Sequence, residues 1–400
     1  MEFSQKGPTT TIHDFGLDLE WQKEELNRDA RKSSVIIPML YSELKRPAIR
    51  TYISELNKCT YLNKIYISLK AGSKKEFQDT SNFFDRLDVP CEVIWSNGSR
   101  ITKILDELNK EDIGVSELKG KGKDMWIAMG IASLDAHAIA FVDADIITFN
   151  DALITKLLFP VSNPKLDFFF NKAFYTRMGL KEKKMYGRVY RLFVSPLIES
   201  LIRKFGRRSS FLDYLNSFKY PLSGEFSLTS DLALNIRIPG DWGVEMGILS
   251  EVFRSASLKR VCQTDTGFHD HKHRKIGDKN TGLIKMAGEI EKSILRSLVE
   301  IEGVDITHGF LQSLQVLYKR IGQDRIHSYD SDSTFNALVY DRHQEERALE
   351  RFSNIILTAG EDYIKNPFGT IIPSWSRVLS AQANLRHDLR DAALKDLREL

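Results

Sequence analysis

The stretch Ala138-Ile139-Ala140-Phe141-Val142-Asp143-Ala144-Asp145 decides the fold. Its apolar run predicts a buried β-strand, and its two carboxylates fall at the strand's C-terminal mouth. In open α/β sheets that edge is where ligands bind. Side chains two apart on extended chain point the same way, so Asp143 and Asp145 can face one cation. A hard divalent metal held by one or two carboxylates, with substrate phosphates completing its shell, is one use of such a pair. A solvated acidic turn is the other, and the pair alone leaves both open.

Outward from this strand, short β-rich runs alternate with amphipathic stretches over residues 33–275, the signature of an α/β sheet. Further strands are expected at 34–38, 64–69, 91–95 and 166–170, with helices at 101–108 and 123–133. Residues 1–32 are polar and charged and read as an N-terminal arm with some helix around 17–27. Beyond about residue 280 the texture changes: Leu283, Ala287, Ile290, Ile294 and Leu298 recur at helical spacing. Stretches 307–318, 344–357 and 375–400 are also helical in character and rich in paired charges. The expected organisation is an arm (1–32), an α/β domain (33–275) and a helical C-terminal extension (276–400) for packing or oligomerisation.

Composition narrows the class. At 400 residues the chain exceeds the usual size of one hydrophobic core. Its 42% apolar and 28% charged residues are ordinary for a globular protein, and a net charge of +3 gives no reason to expect nucleic acid. Cys59, Cys91 and Cys262 are far apart and lack metal spacing, which fits a reducing compartment. The N-terminus has no apolar signal core, and no run reaches the roughly 18 apolar residues of a membrane span. The expectation is a soluble, cytoplasmic protein that binds neither membrane nor nucleic acid.

Five further features accompany the acidic pair. The first strand runs into Pro38-Met39-Leu40-Tyr41-Ser42-Glu43, an ordinary strand exit or a base- and ribose-binding turn with Glu43 as acceptor. Lys119-Gly120-Lys121-Gly122-Lys123 opens a helix; its glycines let backbone approach a ligand, and a helix N-terminus favours anions, but Walker A spacing is absent. From Lys172 to Arg208, eleven Lys/Arg face only Glu182 and Glu199. Within that run, Tyr186-Gly187-Arg188-Val189-Tyr190 offers backbone donors, a helix entrance and a planar fork to a phosphate or carboxylate. A nucleic-acid patch or a solvated basic face remain its rivals, the former disfavoured by scant aromatic interleaving. Pro239-Gly240-Asp241-Trp242-Gly243-Val244-Glu245 sets a carboxylate at the start of an apolar helix, as a cap or as an acceptor of sugar hydroxyls. Gly267-Phe268-His269-Asp270-His271-Lys272-His273-Arg274 places three of nine histidines at alternating positions, a metal or diphosphate pattern. No G-x-S-x-G, H-E-x-x-H, C-x-x-C or post-strand G-x-G-x-x-G is found.

In this order and spacing the features resemble the glucosyl-3-phosphoglycerate synthases, retaining nucleotide-sugar glycosyltransferases of the GT-A fold. The resemblance covers residues 33–275 and implies a Rossmann-like, mixed, mostly parallel sheet flanked by helices. Pro38 to Glu43, including Met39 and Leu40, resembles the family's nucleotide-binding loop. Gly120-Lys121-Gly122 resembles its Gly-Lys-Gly motif, which makes Lys121 a donor-site lysine. Asp143-Ala144-Asp145 resembles its Asp-x-Asp, with Asp145 the implied metal ligand beside His271. Gly187-Arg188-Val189, followed by Tyr190, is similar to the acceptor loop; Pro221-Leu222-Ser223-Gly224-Glu225 and Gly243-Val244-Glu245 resemble two further signatures, the last contacting the donor sugar. Two departures stand out. Ser68-Leu69-Lys70-Ala71-Gly72-Ser73 replaces an Asp-rich loop, which bears on base preference. His269 and His273 stand where an arginine and an asparagine are expected around the metal histidine, as acceptor-side contacts.

The resemblance implies transfer of glucose from UDP-glucose, or mannose from GDP-mannose, to the 2-hydroxyl of 3-phosphoglycerate. Mg²⁺ or Mn²⁺ would be the cofactor and Asp145, Glu245 and Arg188 the catalytic set; the helical C-terminal extension favours a homodimer. Front-face attack, with the departing phosphate taking the acceptor proton, is preferred to Glu245 as a nucleophile. A haloacid-dehalogenase-type phosphohydrolase also carries Asp-x-Asp after a strand, but Ile147 stands where it needs Thr or Val, and the motif follows three earlier strands. A non-catalytic nucleotide- or RNA-binding protein is the second rival.

Overall fold

The structure is a computed structural model and describes residues 3–16, 18–109, 114–115, 120–206, 209–271, 276–278 and 281–399. Its strands are β1 (Thr10–Ile12), β2 (Ser33–Leu40), β3 (Leu62–Lys70), β4 (Cys91–Trp95), β5 (Ala138–Phe141), β6 (Phe170–Gly179), β7 (Lys184–Met185), β8 (Phe226–Thr229), β9 (Ile238–Pro239), β10 (Val261–His269) and β11 (Ile371–Ile372). The main sheet runs β1-β10-β6-β8-β5-β2-β3-β4, with β7 hairpinned onto β6. β5 lies near its middle, paired in parallel with β2 and antiparallel with β8. β8 is also antiparallel to β6, so β6, β10 and β1 point the same way as β2 to β5. The carboxyl ends of seven strands therefore share one edge. The acidic pair after β5, Arg177 near the end of β6 and the histidines ending β10 all fall there.

The short β5 is buried throughout because it is covered on both faces, which is why its sequence is a run rather than an alternation. The principal helices are α1 (Leu19–Arg28), α2 (Ser99–Asn109), α3 (Lys121–Ala132), α4 (Asp151–Ser162), α5 (Ser195–Phe205), α6 (Val244–Ser255), α7 (Gly282–Glu302), α8 (His308–Phe335), α9 (Arg342–Lys365), α10 (Trp375–Ala381) and α11 (Leu385–Arg398). α3 packs on β2 and β3, and α4 on β5, β6, β8 and β10.

Two sequence expectations are corrected. The strand expected at 166–170 begins only at Phe170: Asp167 adopts φ 55° in the preceding turn, and Leu166 and Phe169 remain partly exposed. Residues 1–32 are not merely an arm, because β1 extends the sheet edge, pairing Thr10 with Cys262 and Ile12 with Thr264. The C-terminal helices form as expected, yet they share one core that runs from Val35 on β2 to Ala393 on α11. Trp375 on α10 stacks on Trp126 of α3 at 3.9 Å and 9°, and each indole N–H donates to a backbone carbonyl, Trp126 to Pro373 and Trp375 to Trp126. Gly130 makes room for that stack, since a Cβ there would meet Trp375 at 2.1 Å. β11 pairs antiparallel with β9, adding a second tie. No described helix is long and apolar enough to cross a membrane.

Candidate active site

The acidic pair is shaped by a residue that the sequence did not single out. Tyr52, in the short helix Tyr52–Leu56, donates its hydroxyl to the Asp143 carbonyl at 2.6 Å and accepts from the Ile146 N–H at 3.4 Å. Its ring stacks on Phe149 at 3.9 Å, so the turn 143–146 is gripped from below. Gly224, in the Pro-Leu-Ser-Gly-Glu segment leading into β8, lies against the other side. A Cβ there would stand 2.3 Å from Asp143 Oδ2, so only glycine fits.

The histidine loop after β10 is tied to the same turn. Ile146 forms an antiparallel bridge with His271, and the Ile147 N–H donates to the Asp270 carbonyl at 2.8 Å. This brings His271 Nδ1 to 3.7 Å from Asp145 Oδ1. Tyr175 stacks on the imidazole at 5.2 Å, and Nε2 is buried with no hydrogen-bond partner among the described residues. Burial pushes the Asp145 carboxyl up, but the imidazole's hydrogen bond and the positive fields of His271, Arg177 and Lys121 outweigh it and hold it below the usual range. An ionised carboxylate beside a buried, unsatisfied imidazole nitrogen is a donor set that fits a divalent cation whose remaining ligands come from a diphosphate.

Lys121 joins three motifs that lie far apart in sequence. Gly120, at φ 151°, and Gly122 pack directly on β9 and its turn: a Cβ on either would strike the Gly240 or Pro239 carbonyl at about 2 Å. Held this way at the start of α3, Lys121 reaches Asp143 Oδ1 at 2.7 Å and Glu245 Oε1, in the first turn of α6, at 3.2 Å. Burial lowers its pKa, and the two carboxylates more than reverse that, so the net direction is upward.

Beneath them lies a buried layer the sequence reading did not assign. The Lys172 ammonium on β6 donates to the Ser223 carbonyl at 2.6 Å and lies 5.2 Å from the centre of the Phe226 ring. Burial pushes its pKa down to about 8, against the fields of Glu245 and Glu225. Tyr175 donates to Glu225 at 2.7 Å, and the Ser223 hydroxyl donates to the same carboxylate at 3.0 Å.

The expected acceptor loop sits at a tight entrance. Gly187 adopts φ 77°, and Val189–Val194 winds as a π-helical turn, a form concentrated at functional sites. The Arg188 Nε donates to Glu345 Oε1 at 2.6 Å, and its Nη2 donates to Gln344, both on α9. Val189 is buried, and Tyr190 meets Tyr220 edge-on at 5.4 Å. Tyr220 in turn accepts from Arg177 Nη1 at 3.4 Å.

The residues expected at the nucleotide lie at and just beyond the end of β2. Pro38 pairs with Ser68 and Leu40 with Lys70 on β3. Met39 points into the core, Leu40 is half exposed, and Glu43 is buried and ion-paired with Arg46 at 3.0 Å. Ala144 is buried between its two aspartates. His269, expected as an acceptor-side contact, is placed inside the loop. Its ring is buried between Thr148 at 3.5 Å and Thr266 at 3.2 Å, and burial pushes its pKa down to about 4. His273 and Lys119 lie outside the described residues.

No family model matches the chain. The glucosyl-3-phosphoglycerate synthase of Methanococcoides burtonii is 42% identical over all of this chain and 99% of that protein. The chain belongs to the glucosyl-3-phosphoglycerate synthases. The Persephonella marina member is 36% identical over 99% of this chain and 98% of its own length. Among solved structures, mannosyl-3-phosphoglycerate synthase from Rubrobacter xylanophilus aligns with a TM-score of 0.55 at 20% identity, covering 74% of this chain and 82% of that one. Glucosyl-3-phosphoglycerate synthase from Mycobacterium tuberculosis, bound to Mn²⁺, UDP and glucosyl-3-phosphoglycerate, aligns with a TM-score of 0.51 at 20% identity over 74% of this chain and 88% of that one. The shared fold is the GT-A arrangement that the resemblance implied. Family membership sets aside the phosphohydrolase and the non-catalytic binding protein.

Proposed function

We propose that this chain transfers glucose from UDP-glucose to the 2-hydroxyl of 3-phosphoglycerate, with retention at the anomeric carbon and with a divalent metal. The observation that carries the reading is the meeting of three distant motifs on the Lys121 ammonium, beside the Asp145–His271 pair. Asp145 and His271 would hold Mg²⁺ or Mn²⁺, which when bound neutralises charge developing on the leaving diphosphate. Lys121, kept protonated by Asp143 and Glu245, adds a second positive charge on the same side. Pro38, Met39, Leu40 and Glu43 form the nucleotide edge, with residues 33–150 as the donor half and 151–275 as the acceptor half.

Glu245 is ion-paired with Lys121, which makes it a poor nucleophile and a good acceptor for sugar hydroxyls. The acceptor oxygen therefore bonds to the anomeric carbon on the face that the diphosphate leaves, and the departing phosphate oxygen takes the hydroxyl proton. Gly187, Arg188, Val189 and Tyr190 hold the acceptor so that its hydroxyl lies near that carbon. We also propose a homodimer, favoured by Phe335 and Phe368 standing 89% and 84% exposed on the C-terminal region. Sedimentation at twice 45.9 kDa would bear it out, and a monomer would defeat it. The three unpaired cysteines favour a cytoplasmic location.

The deciding experiment measures nucleoside-diphosphate release from UDP-glucose or GDP-mannose, with and without 3-phosphoglycerate, in Mg²⁺ or EDTA. Metal- and acceptor-dependent release of UDP is expected. Release only from GDP-mannose would reassign the donor, and release without acceptor would remove 3-phosphoglycerate.

A further inference from the structure

The basic acceptor loop carries two arginines, Arg188 and Arg191, and both end on one carboxylate contributed by the C-terminal helices. Glu345 is buried in the first turn of α9. One of its oxygens takes Arg188 Nε at 2.6 Å, and the other lies 3.1 Å from Arg191 Nη2. Gln344 beside it accepts from Arg188 Nη2.

The turn that presents these residues is itself fixed. Asp341 caps α9 by accepting from the Gln344 N–H at 3.0 Å, and the Val339 N–H donates to the Lys183 carbonyl of the β6–β7 hairpin at 2.8 Å. Arg191 fastens the loop from its own side, donating Nε to the Tyr186 carbonyl at 2.9 Å and Nη2 to the Met185 carbonyl at 3.3 Å. Tyr318 of α8 donates to the Leu192 carbonyl at 2.5 Å, inside the π-helical turn.

The chemistry of the fork turns this into a statement about the site. A guanidinium has a side edge, Nε with Nη2, and an end edge, Nη1 with Nη2, and either can grip an oxyanion in two-point fashion. Here the side edge is taken by Glu345 and Gln344. The end edge is left for a ligand, and among the described residues nothing bonds Nη1. Two guanidinium groups thus share one carboxylate. Such an arrangement fixes the rotamer of a long side chain before any ligand arrives, which lowers the ordering cost of binding an anion.

We propose that Glu345 and Gln344 are positioning residues for the acceptor: α9 presets Arg188 so that the end of its fork receives the phosphate or carboxylate of the acceptor. The C-terminal helices then complete the acceptor site as well as packing on the catalytic domain. This rests on the functional reading above, in which Arg188 touches the acceptor.

The test is steady-state kinetics on Gln344→Ala, Glu345→Gln and Arg188→Ala, alone and combined. Gln344→Ala changes an exposed side chain and spares the buried pair, so it remains informative if Glu345→Gln, which unpairs a buried arginine, fails to fold. Gln344→Ala is expected to raise KM for 3-phosphoglycerate about threefold, and Glu345→Gln about tenfold, with KM for UDP-glucose and kcat nearly unchanged. In the Arg188→Ala background, Gln344→Ala should add nothing further, because its effect passes through the missing arginine. Unchanged acceptor KM in Gln344→Ala, or an equal rise with and without Arg188, overturns the inference while leaving an active wild type and its functional reading intact. A wild type inert with 3-phosphoglycerate overturns both, since Arg188 would then have no acceptor to hold.

Discussion

On the side proposed for the donor, Lys121 at the start of α3, Asp143 after β5 and Glu245 in the first turn of α6 meet through backbone-close packing. On the side proposed for the acceptor, Arg188 is held by a helix whose contacting glutamate lies 157 residues further along the chain. The donor side is built from a strand end and two helix starts, and its residues announce themselves in short motifs. The acceptor side is built by tertiary docking of a helix that carries no motif. A sheet edge fixes side chains by register, while a docked helix fixes them only as well as its own core is packed.

That contrast can be broken from either side. The largest expected effect is on the donor side: Asp145→Ala should lower kcat about 1,000-fold, with Mn²⁺ binding in the presence of UDP weakened alongside. Retained activity would dissolve the donor half of the comparison. The next effect concerns the helical support. Glu291 on α7 is buried with neither carboxyl oxygen bonded among the described residues, and burial pushes its pKa from 4.5 up to about 8. The folded form thus binds the proton more tightly than the unfolded form, so this stabilisation is complete below about pH 4.5 and drains away as pH rises through about 8. Glu291→Gln should remove that slope and gain about 3 kcal/mol near pH 7 in urea unfolding. Matching pH slopes in variant and wild type would sink the idea.

Lys121→Met should cost about 100-fold in kcat by removing one cation from the leaving-group side, with little change in KM for 3-phosphoglycerate. A change confined to the acceptor KM would move Lys121 across the cleft. The smallest effect is Tyr52→Phe, which keeps the stack on Phe149 and removes only the hydroxyl under the acidic turn. About tenfold weaker metal affinity with an unaltered melting temperature is expected, read by metal titration of UDP release.

The same contrast explains what the sequence could reveal. β4 spans the expected residues 91–95, and the acidic pair, the Gly-Lys-Gly turn and Glu245 lie together as their motifs implied. β8 and β10 escaped notice because Ser227, Gln263, Thr264 and Thr266 are buried polar residues that spend their side chains on internal hydrogen bonds. Those bonds break the apolar alternation on which strands are recognised. The alternating histidines drew attention to both His269 and His271; the structure sets His271 beside Asp145 and turns the His269 ring inward between two threonines. Tyr52 left no local trace, and Lys172 showed only as the first residue of a basic run, although the Ser223 and Glu225 around it belong to a segment that did stand out. Glu345 resembles any other charge on a charge-rich helix, and only the docked position of α9 distinguishes it.

The face-to-face indoles of Trp126 and Trp375 carry an experimental consequence. Two coupled chromophores, one on the helix that starts at Lys121 and one near the C-terminus, make an optical gauge native to the protein. Their near-ultraviolet circular dichroism should report, without any label, whether the tail of the chain is seated while the enzyme turns over.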